Sequence, residues 1–389
     1  MITVDFAGQK LSMRLDGLMT PARNRRLADS EYETACWLAD RVAELKAAAP
    51  ETIERLALDA AVANPANNWA SLAATWHPLY GKSRRDIEHL RLYCQPFTGF
   101  DPIRGDIHGV SPESLPADLE GQLHAKNQNL TIHSTTLISD RRRLPEYARV
   151  RLPPVFGEVG LVIDGVLAGY DAWSLQTQMN GLFGSGALRY LRERAAAKGA
   201  VTIADIGSGF GGFGYQLGRA LPAKGLRFVA VDLPDSLIFA AIYLAALWDD
   251  RPNYLAVPGG YLSVSTGELG PRLPEDFGAV FVANFLAERV LDELKPVDAM
   301  LNFRSMQEMS DAQIAHYAEL ARAVIGDEGL LYEQNGTSRT TDRDVKTILG
   351  NIFPEGGPLP ETDPPHRGMA PASLWSNRPL PIRPQGASS

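Results

Sequence analysis

The stretch Ile203-Ala204-Asp205-Ile206-Gly207-Ser208-Gly209-Phe210-Gly211-Gly212-Phe213-Gly214 restricts the fold of this chain more than any other. The apolar run Val201–Ile206 reads as a buried strand, and it ends abruptly in glycines. Glycine turns the backbone sharply and lets it approach a neighbouring group without a Cβ in the way. The helix expected next would then present free N–H groups and a positive dipole end at the turn. Gly207, Gly209 and Gly212 also satisfy the spacing G-x-G-x-x-G.

Strand and helix patterns keep alternating after this turn. Arg227–Asp232, Gly278–Ala283, Val297–Phe303 and Gly329–Gln334 read as strands, with Tyr254–Val257 competing for the third place. A helix is expected at about 235–248, and Ser310-Asp311-Ala312-Gln313 has the capping-box spacing that opens another, to about Ile325. This alternation predicts an α/β fold with a Rossmann-like, parallel sheet covered on both faces. Leu237–Trp248 is apolar around its whole circumference, so its outer side needs cover as well. That cover is expected from the N-terminal region, with the partner subunit of a homodimer as the alternative.

Residues 1–150 read as mainly helical and irregular. Ser30-Glu31-Tyr32-Glu33 has capping-box spacing, and Tyr32, Ala35, Ala39, Val42 and Leu45 follow at helical intervals. A second helix is expected over Glu51–Val62, and a third near Ser83 with Ile87, Leu90 and Cys94 on one face. The expected division is therefore 1–150 as a substrate cover or dimerisation region, 151–350 as the sheet domain, and 351–389 as a tail. The tail holds 9 of the 27 prolines, which argues against helix but allows an edge strand around Ala372–Trp375. Gln385–Ser389 is expected to fray.

Composition narrows the function. Lys+Arg number 38 and Asp+Glu 46, a net charge of -8, which argues against a nucleic-acid coat or a polybasic membrane anchor. The longest apolar run falls far short of the roughly 20 residues of a membrane span. Cys36 and Cys94 are the only cysteines, too few for a disulfide framework, so a cytoplasmic location is expected. The seven histidines show no His-x-His or His-Glu-x-x-His spacing, and no metal site is predicted.

Two acids accompany the glycines. Asp205 stands two residues before Gly207, and Asp232 closes the second strand, 25 positions after it. A carboxylate at that strand end accepts both hydroxyls of an adenosine ribose. Together these features predict a nucleoside-type cofactor. The literal G-x-G-x-x-G keeps an NAD(P)-dependent oxidoreductase open, while Asp205 argues against it.

The order Asp205-x-Gly207-x-Gly209-x-Gly211 resembles motif I of class I S-adenosylmethionine-dependent methyltransferases. Asp232-Leu233-Pro234, Asn302-Phe303-Arg304-Ser305-Met306-Gln307-Glu308-Met309 and Leu331-Tyr332-Glu333-Gln334-Asn335 resemble the sugar O-methyltransferase family in particular. The likeness covers roughly residues 155–335. It implies S-adenosylmethionine as cofactor, with Asp205, Gly207, Gly209 and Gly211 at its methionine end, Asp232 at the ribose and Asn284 at the adenine. The acceptor it implies is a hydroxyl of a sugar or sugar-containing metabolite. Another natural-product hydroxyl or an amine, or a catalytically inactive binding subunit of the same fold, remain as alternatives.

Residues beyond the fourth strand should lie at the carboxyl edge of the sheet, where open α/β folds bind ligands. That places Arg304, Ser305 and Gln307 as substrate-binding candidates. Glu308 is the first candidate for the general base a sugar hydroxyl needs; support of the following helix dipole is its alternative. His316 is carried as a second catalytic candidate, with a solvated helix face as its alternative.

Overall fold

In this computed structural model the residues described are 2–6, 9–19, 21–64, 73, 76–94, 136–336, 343–359 and 371–384. His108, His124, His133, His366 and Gln385–Ser389 lie outside them. The chain forms two compact units, Met1–Cys36 with Ala74–Asn180, and Trp37–Ala73 with Gly181–Ser389. The division falls inside two helices, Asp29–Ala47 and Tyr170–Gly184.

The first unit contains strands where helix and irregular chain were expected. β1 (Ile2–Phe6) and β2 (Gln9–Met13) form an antiparallel pair. β3 (Leu15–Met19), β4 (Gly160–Ile163) and β5 (Val166–Ala168) form a three-stranded antiparallel sheet. Ile2, Val4 and Phe6 do alternate with period two, the spacing of a strand. β3, however, finds its partner only far along the chain, beyond the reach of local spacing. The helix at Asp29 also starts earlier than its Ser30 signal, because the Glu31 carboxylate accepts from the Ala28 N–H at 2.6 Å. Ser83 does cap its helix, and Ile87, Leu90 and Cys94 are all fully buried. The helix expected over Glu51–Val62, in the second unit, breaks into Ala49–Arg55 and Ala60–Ala63, with Ala57 at φ +50° between them.

The second unit is built on one ten-stranded sheet. Its strands are β6 (Val201–Ile206), β7 (Leu226–Asp232), β8 (Asn253–Val257), β9 (Gly260–Ser263), β10 (Leu269–Gly270), β11 (Ala279–Ala283), β12 (Ala299–Phe303), β13 (Leu330–Gln334), β14 (Glu355–Pro358) and β15 (Ser373–Ser376). They lie in the order β10-β9-β8-β11-β7-β6-β12-β13-β15-β14. Six central strands, β8 to β13 in that order, run parallel. β9, β10, β15 and β14 extend the two edges antiparallel.

The succession β11-β7-β6-β12-β13 is third-second-first-fourth-fifth of a doubly wound sheet. The α/β, Rossmann-like fold expected from the sequence is the one observed. Both candidates for the third strand are strands: β11 lies against β7, and β8 lies outside it. β15 adds to β13 where an edge strand was expected.

The helix Pro234–Leu247 is buried from Ser236 to Ala245 without a wet side. Gly211 meets Ala240 and Leu244 on one side, and Phe210 meets Tyr243 edge-on at 5.2 Å. At its first turn Asp235 pairs with Lys46, at the end of the helix Asp29–Ala47, at 2.5 Å. One contact from the N-terminal part of the chain, Lys46, thus reaches the first turn of this helix. Ser310 and Gln313 form the capping box predicted for the helix Asp311–Val324.

Candidate functional site

The winding of the sheet reverses between β6 and β12. A crevice opens at such a switch point, outside the carboxyl ends of the strands. The glycine turn lies there. Gly207, Gly209 and Gly211 take φ of +75°, +57° and +78°, all in the left-handed region that disfavours a side chain. Gly211 begins the helix Gly212–Ala220 without a side-chain cap, so the first N–H groups face the turn. A Cβ on Gly207 would sit 2.2 Å from Ser305 Oγ, and one on Gly211 would sit 2.9 Å from Leu244. Gly211 thus answers to helix packing as much as to any ligand.

Asp232 closes β7 and bends back onto this turn. Its carboxylate accepts from the N–H of Gly209 and of Leu233, both at 2.8 Å, and from the Ser236 hydroxyl. Burial nevertheless pushes it up to about 7. Asp205 is 3% exposed, and one of its carboxyl oxygens is sealed without a hydrogen-bond partner. Burial first, then the charge of Asp232, pushes it up to about 8. Neither acid draws on a cation among the described residues. Tyr317, on the helix Asp311–Val324, has its phenol pushed up by burial and by Asp232. Ser208 Oγ and Asn284 Oδ1 are further buried polar atoms without partners.

A carboxyl with a raised folded value favours folding while protonated. That advantage is complete below its unfolded value, near 4, and is lost as the pH climbs through about 8. Asp205→Asn removes it. Wild type should lose about 1 kcal/mol or more relative to this variant between pH 5 and pH 8, seen as a Tm gap that shifts by about 2–4 °C. A gap independent of pH would show that Asp205 is already ionised in the fold.

The loop after β12 is tied to this turn. Asn302 is fully buried and donates to the Ile206 carbonyl at 2.7 Å and to Ser305 Oγ at 2.7 Å. Ser305 itself donates to Ile206 O at 3.1 Å, so it braces the glycine turn. Arg304 has φ +63° and is held by its N–H on Gln334 O at 3.1 Å. This left-handed residue turns the chain off β12 into the short 3-10 turn Met306–Glu308. Gln307 accepts from the Gly336 N–H at 3.0 Å and stitches this loop to the one after β13. Glu308 and His316 are both half-buried, and His316 stands edge-on to Tyr317 at 5.4 Å.

Three further residues belong to the same edge. Glu333 is fully buried at the end of β13, accepts from the backbone and side-chain N–H groups of Asn335, and lies 3.6 Å from Lys346. Burial raises it above the usual carboxylate range. An acid at the end of the apolar run Leu330-Leu331-Tyr332, inside the segment that carries the resemblance, was its sequence signal. Gln313 donates to the carbonyls of Val62 and Asn64 at 3.3 and 2.8 Å, and Asn284 Nδ2 donates to Ala63 O at 2.8 Å. Nothing in the sequence announces that residues 62–64 reach this edge.

No family model matches the chain, and no curated protein matches it. Among solved structures, it is similar to monomeric WbdD at 14% identity and a TM-score of 0.32, over 49% of this chain and 40% of that one. Human N-acetylserotonin methyltransferase in complex with SAM gives 13% and 0.29, over 53% and 56%. The O-methyltransferase TomG of Streptomyces achromogenes in complex with SAM gives 16% and 0.30, over 49% and 78%. The chain spans less than two thirds of the length of the first two.

Proposed function

We propose that the chain is an S-adenosylmethionine-dependent methyltransferase acting on a hydroxyl of a sugar or sugar-containing metabolite. The observation that carries the cofactor reading is the pair Asp205 and Asp232 flanking the glycine turn with no compensating cation among the described residues. A sulfonium ligand supplies positive charge to such a cradle. The pyrophosphate of a dinucleotide would bring negative charge beside Asp205, which weighs against the NAD(P) reading, while Asp232 suits the ribose of either cofactor. The sealed, partnerless oxygens of Asp205, Ser208 and Asn284 fit a polar ligand, because a buried polar atom left unpaired costs about 1–3 kcal/mol.

In this reading Gly207 and Gly209 let the backbone close on the methionine end, with Asp205 beside them and Gly211 shaping the turn. Asp232 holds the ribose and Asn284 faces the adenine. When bound, S-adenosylmethionine supplies an electrophilic methyl group. Glu308 accepts the proton of the acceptor hydroxyl, while Arg304 and Gln307 orient the acceptor. Ser305 acts through the turn it braces. The sugar acceptor rests on the resemblance of Ser305–Met309 and on the polar rim these residues make.

Asp232→Ala tests the cofactor. Loss of a charged acceptor should weaken S-adenosylhomocysteine binding by about 1.5–3 kcal/mol, roughly 10–150-fold in calorimetry. Equal affinity in a folded variant removes Asp232 from the site, and binding of NADH with none of S-adenosylhomocysteine favours the oxidoreductase. Mass analysis of candidate glycosides incubated with S-adenosylmethionine then asks for a gain of one methyl group.

A further inference from the structure

Glu333 and Asn335, at the end of β13, are both fully buried. A carboxylate at that depth is costly unless it is paired and hydrogen-bonded. Glu333 meets both conditions on opposite sides. The Lys346 ammonium, in the first turn of the helix Val345–Ile352 and 11% exposed, lies 3.6 Å from Oε1. Oε2 accepts from the backbone N–H and the side-chain amide of Asn335, at 2.8 and 2.9 Å. Lys346 also donates to Asn335 O at 2.8 Å. Asn335 Oδ1 in turn accepts from the Gln307 N–H at 3.3 Å, and Gly336 donates to Gln307 Oε1 at 3.0 Å. Gln307 is thus held by its backbone and its side chain from the end of β13. At the start of the same turn, Asn302 Oδ1 accepts from the Met306 N–H at 3.0 Å.

Resting on the methyltransferase reading above, we infer that Glu333 is a positioning residue, which fixes the turn Met306–Glu308 through Asn335 and so sets the acceptor side of the site. An ionised carboxylate only accepts hydrogen bonds. Asn335 must therefore turn its Nδ2 to Glu333, and its Oδ1 is left to receive Gln307. Released from the carboxylate, the amide could flip and set its Nδ2 against the Gln307 N–H, donor against donor. Lys346 favours the ionised form of Glu333, because an opposite charge nearby stabilises it. The turn is gripped from two strands, from β12 by Asn302 and from β13 by Asn335. Asn302 also binds the glycine turn, at Ile206 O. Loosening the grip from β13 should therefore free the acceptor residues and leave the cofactor residues in place.

Amide hydrogen exchange on the full chain reads this turn without any acceptor, with the amides of β6 as the reference for global opening. In Asn335→Ala the Gln307 N–H should exchange about 3–10-fold faster, the share of one hydrogen bond. Glu333→Gln should do the same, because an amide that turns its oxygen to Lys346 opposes its own N–H groups to those of Asn335. Both variants should bind S-adenosylhomocysteine within about threefold of wild type, well inside the effect of one lost hydrogen bond. On a glycoside that wild type methylates, transfer at saturating cofactor should fall about 10–100-fold, the effect of a misplaced reacting group. Glu333→Gln added to Asn335→Ala should cost less than about twofold more, since the carboxylate acts through the amide. A purely structural role would lower Tm, leave the transfer rate of the folded protein unchanged, and add in the double variant. If Asn335→Ala fails to fold, Glu333→Gln by itself decides. Unchanged Gln307 exchange, a wild-type transfer rate or additive effects overturn the inference, while bound S-adenosylhomocysteine keeps the cofactor reading. A wild type that does not bind S-adenosylhomocysteine overturns that reading and, with it, the acceptor role of the turn.

Discussion

Glu308→Gln should lower methyl transfer by about 10²–10⁴-fold, the contribution of a positioned general base, and leave S-adenosylhomocysteine binding close to wild type. The amide matches the carboxylate in shape and can still hydrogen-bond an acceptor hydroxyl, but it cannot take the proton. The prediction depends on placement. Arg304 turns the chain off β12 in a left-handed conformation, and Gln307 is stitched to Gly336, so the turn Met306–Glu308 is fixed at the carboxyl edge. A residue that only favoured the following helix dipole would contribute about 0.3–1 kcal/mol to stability and little to turnover. Single-turnover rates at saturating cofactor, with a melting curve for each protein, separate the two roles. Near-normal turnover in a slightly less stable variant would leave helix support as the role of Glu308. His316→Ala is the companion measurement and should change the rate by less than about threefold, since a half-buried ring set edge-on to Tyr317 has no proton to move in this reading.

Gly207→Ala should damage both the fold and the glycine turn. The residue takes φ +75°, which costs an alanine about 1–2 kcal/mol. Its Cβ would also fall 2.2 Å from Ser305 Oγ and 2.5 Å from Ser305 Cβ, and overpacking of this kind costs about 1–3 kcal/mol more. A total loss of about 2–5 kcal/mol is expected in urea denaturation. Cofactor binding should fall with it, since the turn that Ser305 and Asn302 brace must move aside. Ser305→Gly on top of Gly207→Ala removes both clashing atoms. It should return about 1–3 kcal/mol, the overpacking share, but not the cost of the backbone conformation. A double variant as unstable as Gly207→Ala alone would mean that the clash is relieved by another movement.

The glycine turn, the acid before it and the acid at the end of β7 were all legible because they lie on local signals. Glycine spacing dictates a backbone conformation, and an acid at the end of an apolar run stands out wherever the run goes. The same holds for the Ser310 capping box and for the all-apolar helix Pro234–Leu247, whose need for cover is a property of its own circumference. The strand β3, whose partner lies far along the chain, was not legible in this way. Neither was the break of the helix over Glu51–Val62, where the chain crosses the left-handed region at Ala57.

The sequence by itself determined the α/β class, the order of the parallel strands along the chain and the residues at the carboxyl ends of β6, β7, β11 and β12. Periodicity and turn chemistry act over a few residues, and those features need no more. Tertiary structure alone decided that β11 rather than β8 lies against β7, and that Ser305 and Asn302 hold the β6 turn. It also decided that Glu333 is buried beside Lys346, and that residues 62–64 reach Asn284 and Gln313. Each joins groups distant in the chain through hydrogen bonds whose worth depends on burial. Burial is a property of the packed molecule, not of any local stretch of sequence.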